Sequence, residues 1–346
     1  MRGPYRHRLV IPGLALFLGA TIMLAVAVGA VWISPLDSLR LFAWKLHLSG
    51  RPAGIPHSSE VILFQLRVPR VLLAAVVGGA LAAAGAVFQA LFRNPMADPA
   101  IIGVSSGAAL GAIIVILAGG GAALGGMGVS GAAFIGAVAT AFVVYRLARI
   151  GPAVQVATLL LAGIAIAAII SAAISLVMTF SGQEIRSIYF WLLGGLGARG
   201  WRSLAAATPL VVAGVALAMM SAGDLNLTAL GEERAAQLGL EVERFKRVML
   251  GVGSLLTAAA VSVAGLIGFV GLMTPHILRL VIGSDHRRLL PASVLGGAAF
   301  MVLADLAART VVSPQEIPVG AVTAVLGGPF FLYLLRRERR TAGANA

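Results

Sequence analysis

The sequence has no cysteine and carries very little charge. Without cysteine, its 346 residues can form neither a disulfide framework nor a thiolate metal site. Charged residues make up only 11% of the chain, whereas a soluble domain carries about 25%. Hydrophobic residues make up 59%, and the mean hydropathy is +0.98. This composition excludes an ordinary soluble domain and predicts an all-α integral membrane protein.

The sequence also lacks residues that would power transport or catalysis. It has no GxxxxGK(S/T) phosphate loop, and its only lysines are Lys45 and Lys246. Asp305 and Glu316 fall near the outer membrane surface rather than deep in the bundle, where an ion-driven carrier usually needs ionisable groups. No clustered acid–base or metal site is visible, which argues against a membrane enzyme. The chain is therefore expected to bind no cofactor itself and to be powered by a partner subunit.

Ten apolar runs are predicted to be membrane helices, because a hydrocarbon core of about 30 Å needs about 20 helical residues. They fall at residues 9–33, 70–92, 101–118, 129–147, 155–179, 201–221, 248–267, 269–283, 290–309 and 317–335. The runs at 101–118 and 269–283 are short, so partial or tilted crossings are expected there. The whole chain, residues 1–346, is predicted to form a single transmembrane domain.

Positive charge is concentrated at the ends of the predicted helices, and the formal net charge is +13. Arginines cluster at the N-terminus and in the run "RRERR" at residues 336–340, and most basic loop residues fall on the same side. The positive-inside rule therefore predicts that both termini are cytoplasmic. This distribution accounts for the charge without nucleic acid as a partner.

Polar segments interrupt the apolar pattern at three places. Residues 34–68 are predicted to lie outside. Residues 224–247 are predicted to lie inside, with short helical stretches broken by Gly231 and Gly239. The third segment, "RNPMADP" at residues 93–99, reads as a cytoplasmic turn whose prolines stop the preceding helix. Asp98 is expected to cap the next helix by accepting a backbone N–H bond.

Several long motifs follow one another along the chain. They are "RVPRVLLAAVVGGALAAAGAVFQALFRNPMADPAIIGVSSGAALGA" (67–112), "LLLAGIAI" (159–166), "FWLLGGLG" (190–197), "LGEERAAQLGL" (230–240), "GFVGLMTPHILRL" (268–280), "DHRRLLP" (285–291), "ADLAAR" (304–309) and "EIPVGAVTAVLGGPFFLYLL" (316–335). Together they closely resemble FecCD-type permeases, the type II importers of the ATP-binding-cassette class that import iron chelates, haem and cobalamin. The resemblance implies ten helices per subunit, a homodimer with a central pathway, two ATPase subunits inside that bind ATP and magnesium, and a substrate-binding protein outside.

The resemblance also implies roles for particular residues. The binding protein is expected to dock on a positive rim of three outer arginines, Arg67, Arg70 and Arg309. Their planar guanidinium groups can bind carboxylates through two hydrogen bonds. Headgroup anchoring by snorkelling is the alternative for these arginines. The ATPase contact falls to loop residues Leu230, Gly231, Glu232, Glu233, Arg234, Ala235, Gln237, Leu238 and Gly239. The cytoplasmic gate falls at Val156 and Ala157, where apolar side chains would close the path by dewetting.

The transported molecule is less closely defined. The resemblance favours an iron chelate, either a ferric siderophore or haem, and cobalamin import on the same scaffold is the alternative. An ion-driven secondary transporter is a further alternative, which the missing deep carboxylates disfavour. Contact of His276, Met178 or Tyr189 with the substrate stays open from the sequence. The expected location is the bacterial cytoplasmic (inner) membrane.

Overall fold

The structure, a computed structural model, describes residues 6–29, 31, 33–52, 54–120, 126–151, 153–197 and 199–343. Within these ranges the chain is almost entirely helical. The apolar helices are α1 (Arg6–Ala27), α4 (Val68–Leu91), α5 (Val104–Leu117), α6 (Met127–Ala148), α7 (Val156–Thr179), α9 (Trp201–Met220), α12 (Val242–Ala264), α13 (Val270–Ile282), α14 (His286–Thr310) and α15 (Val319–Gly343). Short helices connect them: α2 (Pro35–Lys45), α3 (His57–Val61), α8 (Ile185–Leu192), α10 (Ala222–Thr228) and α11 (Glu232–Gln237).

The apolar helices confirm the predicted all-α membrane fold. In the described part of the chain, seven are long and apolar enough to cross a membrane, and three shorter apolar helices accompany them. Two of the short ones, α5 and α13, are the runs predicted to be partial or tilted crossings. A 3₁₀ turn at Pro99–Ile102 occupies the chain just before α5, and a non-helical stretch at 265–269 separates α12 from α13.

Helix α4 lies at the centre of the bundle and is buried on all sides. It packs against α14, α12, α13 and α9. Its sequence is apolar around the whole circumference, as expected for a helix enclosed by other helices. Small residues allow this close packing. Gly85 faces the backbone of Gly271 on α13, and Gly78 faces Gly297 on α14.

Three predicted boundaries differ from the structure by six residues or more, one of them the end of α15, which lies at Gly343 rather than at 335. Helix α12 begins at Val242 rather than at 248, because its first turns are amphipathic: Phe245 and Lys246 are buried while their neighbours are exposed. A hydropathy pattern misses such polar turns, so the predicted inner loop 224–247 includes the start of α12. Helix α1 ends at Ala27 rather than at 33, where two arginines from other helices bind its last carbonyl groups.

The two long loops contain short helices. In the loop predicted to be outside, Ser34 caps α2 by accepting a bond from the backbone N–H of Leu36, and a π-helical turn at Ile62–Arg67 leads directly into α4. Near the predicted gate, β1 (Arg149–Ile150) and β2 (Ala153–Val154) form a minimal antiparallel hairpin, with Arg149 opposite Val154. The hairpin lies between α6 and α7.

Candidate functional site

Asp98 caps the turn between α4 and α5, but the element that it caps is a 3₁₀ turn rather than α5 itself, whose N-cap is Gly103. Asp98 caps the 3₁₀ turn by accepting a bond from the backbone N–H of Ala100 at 2.8 Å. Burial raises the pKa of the Asp98 carboxyl, and the bond from Ala100 opposes this shift. Asn94 accepts a similar bond from the backbone N–H of Met96, also at 2.8 Å. The polar segment at residues 93–99 therefore forms a turn in which its own side chains bind its backbone N–H groups.

Arg67 binds the end of α1 from within the bundle. Its guanidinium donates to the carbonyl oxygens of Val26 at 3.1 Å and Ala27 at 2.8 Å, and also to that of Val31. The last carbonyl groups of a helix lack partners within the helix and carry partial negative charge. A planar cation with five donors meets this need. Arg67 is only 6% exposed and thus fixes where α1 ends.

Arg309 binds the same helix end as Arg67. Its guanidinium donates to the carbonyl oxygens of Val28 at 2.8 Å and Ala25. Its Nε atom lies 3.4 Å from a carboxylate oxygen of Asp305. Asp305 precedes Arg309 by four residues, so the two side chains pair on one face of α14.

Arg70 joins two carboxylates at the same end of the bundle. Its Nε atom donates to Asp305 at 2.9 Å, and its Nη1 atom donates to Glu316 at 2.9 Å. The Arg70 side chain is 11% exposed, whereas that of Glu316 is 49% exposed. The Arg70–Glu316 contact is thus the accessible part of a mostly buried ion cluster.

These contacts correct one feature of the expected docking site. The sequence predicted three arginines forming an outer positive rim, but Arg67 and Arg309 are buried because the carbonyl groups at the end of α1 hold them. Arg70 is the most accessible of the three, and it already has a carboxylate partner in Glu316. The docking role itself stays a prediction, and the structure brings all three arginines into one cluster.

Helix α11 has the predicted length and limits. It spans Glu232–Gln237, with Gly231 at φ +103° before it and Gly239 at φ +92° after it. Both glycines adopt a left-handed conformation that other residues rarely tolerate. Most of the helix is exposed, and Leu230 and Leu238 expose 53% and 60% of their surface at its two ends. The segment therefore presents apolar side chains to solvent, as a contact surface for another protein would.

The predicted gate residues begin α7. Val156 and Ala157 are its first two residues, directly after the β1–β2 hairpin. Val156 lines a small cavity together with Lys246 and Leu250 of α12. The structure thus places the predicted gate beside the start of α12. Its gating role stays a prediction.

Sequence reasoning assigned no function to Lys246, which connects several of these elements. Its Nζ atom lies 2.6 Å from Glu232 of α11 and 3.1 Å from Glu243 of α12. Glu243 precedes Lys246 by three residues on one helix, so that pair was readable from the sequence. The contact with Glu232 depends on how the inner loop folds back on α12.

The three residues whose roles were open lie in different places. His276 is buried in α13 with its ring edge-to-face against Phe330, at a centroid distance of 6.3 Å. Met178 is partly buried near the end of α7, and Tyr189 on α8 is exposed. Among the described residues, no group of three His, Cys, Asp or Glu side chains could hold a metal ion. The structure does not bring the three together.

A cavity of about 680 Å³ opens beside the arginine cluster. Arg70 and Glu316 line one side, and Phe190 and Trp191 of α8 line another. Its lining mixes aromatic and charged side chains. The cavity lies at the end of the bundle opposite α11. If α11 is cytoplasmic, as predicted, the cavity opens at the outer end of the bundle.

Comparison with known proteins identifies relatives of the whole bundle. The model of the FecCD transport family matches residues 16–337. The cobalamin import system permease protein BtuC of Halobacterium salinarum is 50% identical over 83% of this chain and 77% of its own length. The hemin transport system permease protein HmuU of Yersinia pestis is 46% identical over 80% of this chain and 84% of its own length.

A solved structure has the same arrangement of helices. It is described as an inward-facing conformation of a metal-chelate type ABC transporter. It superimposes with a TM-score of 0.82, covers 95% of this chain and 99% of its own, and is 30% identical in sequence. The helix bundle and these matches define a membrane permease subunit of an ATP-binding-cassette importer. The chain belongs to the FecCD transport family.

Membership in the FecCD transport family defines the general role of the chain. It is a multi-pass inner-membrane transport subunit, and the ATPase of such an importer is a separate subunit. Its homologues are permeases of importers that work with ATPase and substrate-binding partners.

Proposed function

We propose that this permease imports a metal chelate of the cobalamin or haem type by ATP-driven alternating access. The observation that carries the proposal is the superposition on a metal-chelate type transporter over 95% of the chain. Two close relatives named for cobalamin and hemin add support. Both molecules are metal-bound tetrapyrroles. A ferric siderophore, also expected from the sequence, is a competing outcome.

The proposed assembly is a homodimer with two ATPase subunits inside and a binding protein outside. The exposed helix α11 supports a contact with the ATPase subunit on the inner side. That subunit would bind ATP and magnesium and would move α11. The arginine cluster at the opposite end supports the outer contact. Both termini would then be cytoplasmic. Helices α1, α7 and α9 leave most of their surface exposed in the single chain, which leaves faces for lipid and for a second copy.

The cargo is tested on the binding protein that works with this permease. Its thermal unfolding would be followed with added cyanocobalamin, haemin or a ferric siderophore, because a ligand that binds only the folded state raises the melting temperature. We expect a concentration-dependent rise with cobalamin or haemin. A rise with the siderophore alone would replace the tetrapyrrole proposal with the siderophore one.

Docking through Arg70 predicts opposite effects for two neighbouring substitutions. Arg70→Gln removes the accessible cation and should weaken binding-protein affinity, since a hydrogen bond to a charged group contributes about 1.5–3 kcal/mol. Glu316→Gln removes the internal carboxylate that competes for Arg70 and should strengthen the affinity at low salt. Affinity would be measured by biolayer interferometry on permease in nanodiscs.

Arg40→Gln provides the matched control, because Arg40 is an exposed arginine of α2 paired only with Asp37 in the described structure. Size-exclusion profiles would confirm that each variant remains folded, since Arg70 also contacts the buried Asp305. If Arg70→Gln and Arg40→Gln bind the partner equally well at every salt concentration, Arg70 does not dock it.

A further inference from the structure

Lys246 lies between two carboxylates at the inner end of the bundle. It is 7% exposed. Its Nζ atom lies 2.6 Å from an oxygen of Glu232, on α11, and 3.1 Å from an oxygen of Glu243, on α12. Hydrogen bonds between ionised groups are the strong ones in proteins. One side chain therefore holds the short helix α11 against the first turn of α12.

Glu243 extends this connection toward α7. One of its oxygens accepts the bond from Lys246, and the other accepts the backbone N–H of Val154 at 3.0 Å. Val154 lies on β2, two residues before the start of α7 at Val156. The hairpin is thus held to α12 by the same carboxylate that binds Lys246.

The two contacts of Lys246 differ in how easily they can break. Glu243 and Lys246 belong to one helix and are three residues apart, so their contact moves with α12. Glu232 lies on a different element and its side chain is 49% exposed, against 34% for Glu243. A displacement of α11 would therefore break or strain the Lys246–Glu232 contact first. It would then change the charge around Glu243 and its bond to Val154.

We infer that Lys246 is a positioning residue that couples movement of α11 to the entrance of α7. It acts through Glu243 and the hairpin on Val156 and Ala157. This inference rests on the proposed function, in which α11 receives the ATPase and these two residues form the inner gate. The three side chains form one contiguous polar path between the two, which is the physical requirement for such coupling.

The test compares Lys246→Met with Lys246→Arg in proteoliposomes that contain the ATPase and the binding protein. Lys246→Met keeps most of the length of the side chain, one atom short, but removes the cation, so the amount of substrate imported per ATP hydrolysed should fall about tenfold. Lys246→Arg restores a cation that can reach both carboxylates and should recover most of this ratio. A purely structural role would lower protein yield without changing the ratio.

A distance measurement examines the gate directly. Spin labels at position 157 in the assembled transporter should report a nucleotide-dependent change in wild type, and Lys246→Met should reduce it. Glu243→Gln is the second variant, because its amide oxygen can still accept from Val154 while the charge facing Lys246 is lost. It should reduce the ratio less than Lys246→Met. Arg244→Met is the control, since Arg244 on the same helix makes an exposed pair with Glu241, the residue just before that helix.

The outcomes separate this inference from the function on which it rests. If wild type neither co-purifies with the ATPase nor imports substrate, the proposed function fails. If wild type imports and Lys246→Met has the same transport ratio and the same gate change, the coupling role of Lys246 is overturned. If Lys246→Met does not fold, Glu243→Gln decides: a transport ratio and gate change equal to those of Arg244→Met overturn the inference, and reduced values support it.

Discussion

We expect Gly85→Val to prevent the permease from folding into a stable bundle. A Cβ atom at this position would overlap the carbonyl oxygen of Gly271 and lie 2.5 Å from its carbonyl carbon. The obstacle is the backbone of α13, which cannot move aside as a flexible side chain can. Overpacking of a core side chain usually costs about 1–3 kcal/mol, and a clash between two central helices should cost more. Fluorescence-detected size-exclusion chromatography in detergent would show loss of the monodisperse peak.

Gly131→Val is the matched control for this prediction. Gly131 also lies inside an apolar helix, α6, but a Cβ atom added there would have no neighbour within 4 Å in the described part of the chain. Its variant should elute and melt as the wild-type protein does. Equal melting temperatures for the two valine variants would contradict the close α4–α13 packing.

We expect Gly239→Pro to reduce ATP-coupled transport strongly while the permease remains in the membrane. Gly239 has φ +92°, and its backbone N–H donates to the carbonyl oxygen of Ala236 at 2.9 Å. Proline fixes φ near −65° and has no N–H, so it fits neither requirement. The turn after α11 must therefore change, and the ATPase contact with it. Co-purification of the ATPase and substrate uptake should both fall at least about tenfold, the factor for 1.4 kcal/mol of lost contact energy.

Gly54→Pro is the matched control for Gly239→Pro, because it also introduces a proline at a glycine in a loop. Gly54 has φ +83° and, like Gly239, no described atom within 4 Å of where a Cβ atom would lie, but it belongs to the loop predicted to be outside. Its variant should retain the ATPase. Normal uptake and normal ATPase co-purification by Gly239→Pro would show that another segment makes the contact.

The sequence predicted the parts of the fold that depend on local pattern. Apolar runs of sufficient length predicted the membrane helices, and the two glycines around residues 232–237 predicted the limits of α11. Asp98 was predicted as a cap because its side chain can accept a backbone N–H bond at the start of a helix. In each case the determining interactions lie within a few residues along the chain.

The contacts of the arginine cluster could not be predicted from the sequence. Arg67 and Arg309 bind backbone carbonyl groups of α1, and every residue has a carbonyl group, so no residue type marks such a partner. Hydropathy also missed the start of α12, where a buried lysine replaces an apolar residue. The contact of Lys246 with Glu232 spans fourteen positions and two helices. Long-range polar contacts of this kind follow from tertiary packing rather than from local pattern.

The most direct measurement of the central claim is uptake of radiolabelled cobalamin or haem into proteoliposomes of defined composition. We expect uptake only when this permease, its ATPase, the binding protein and ATP with magnesium are all present. Omitting any one should reduce uptake to the level of protein-free liposomes. Accumulation by the permease alone, driven by a proton or sodium gradient without the ATPase, would contradict the account and indicate an ion-driven carrier.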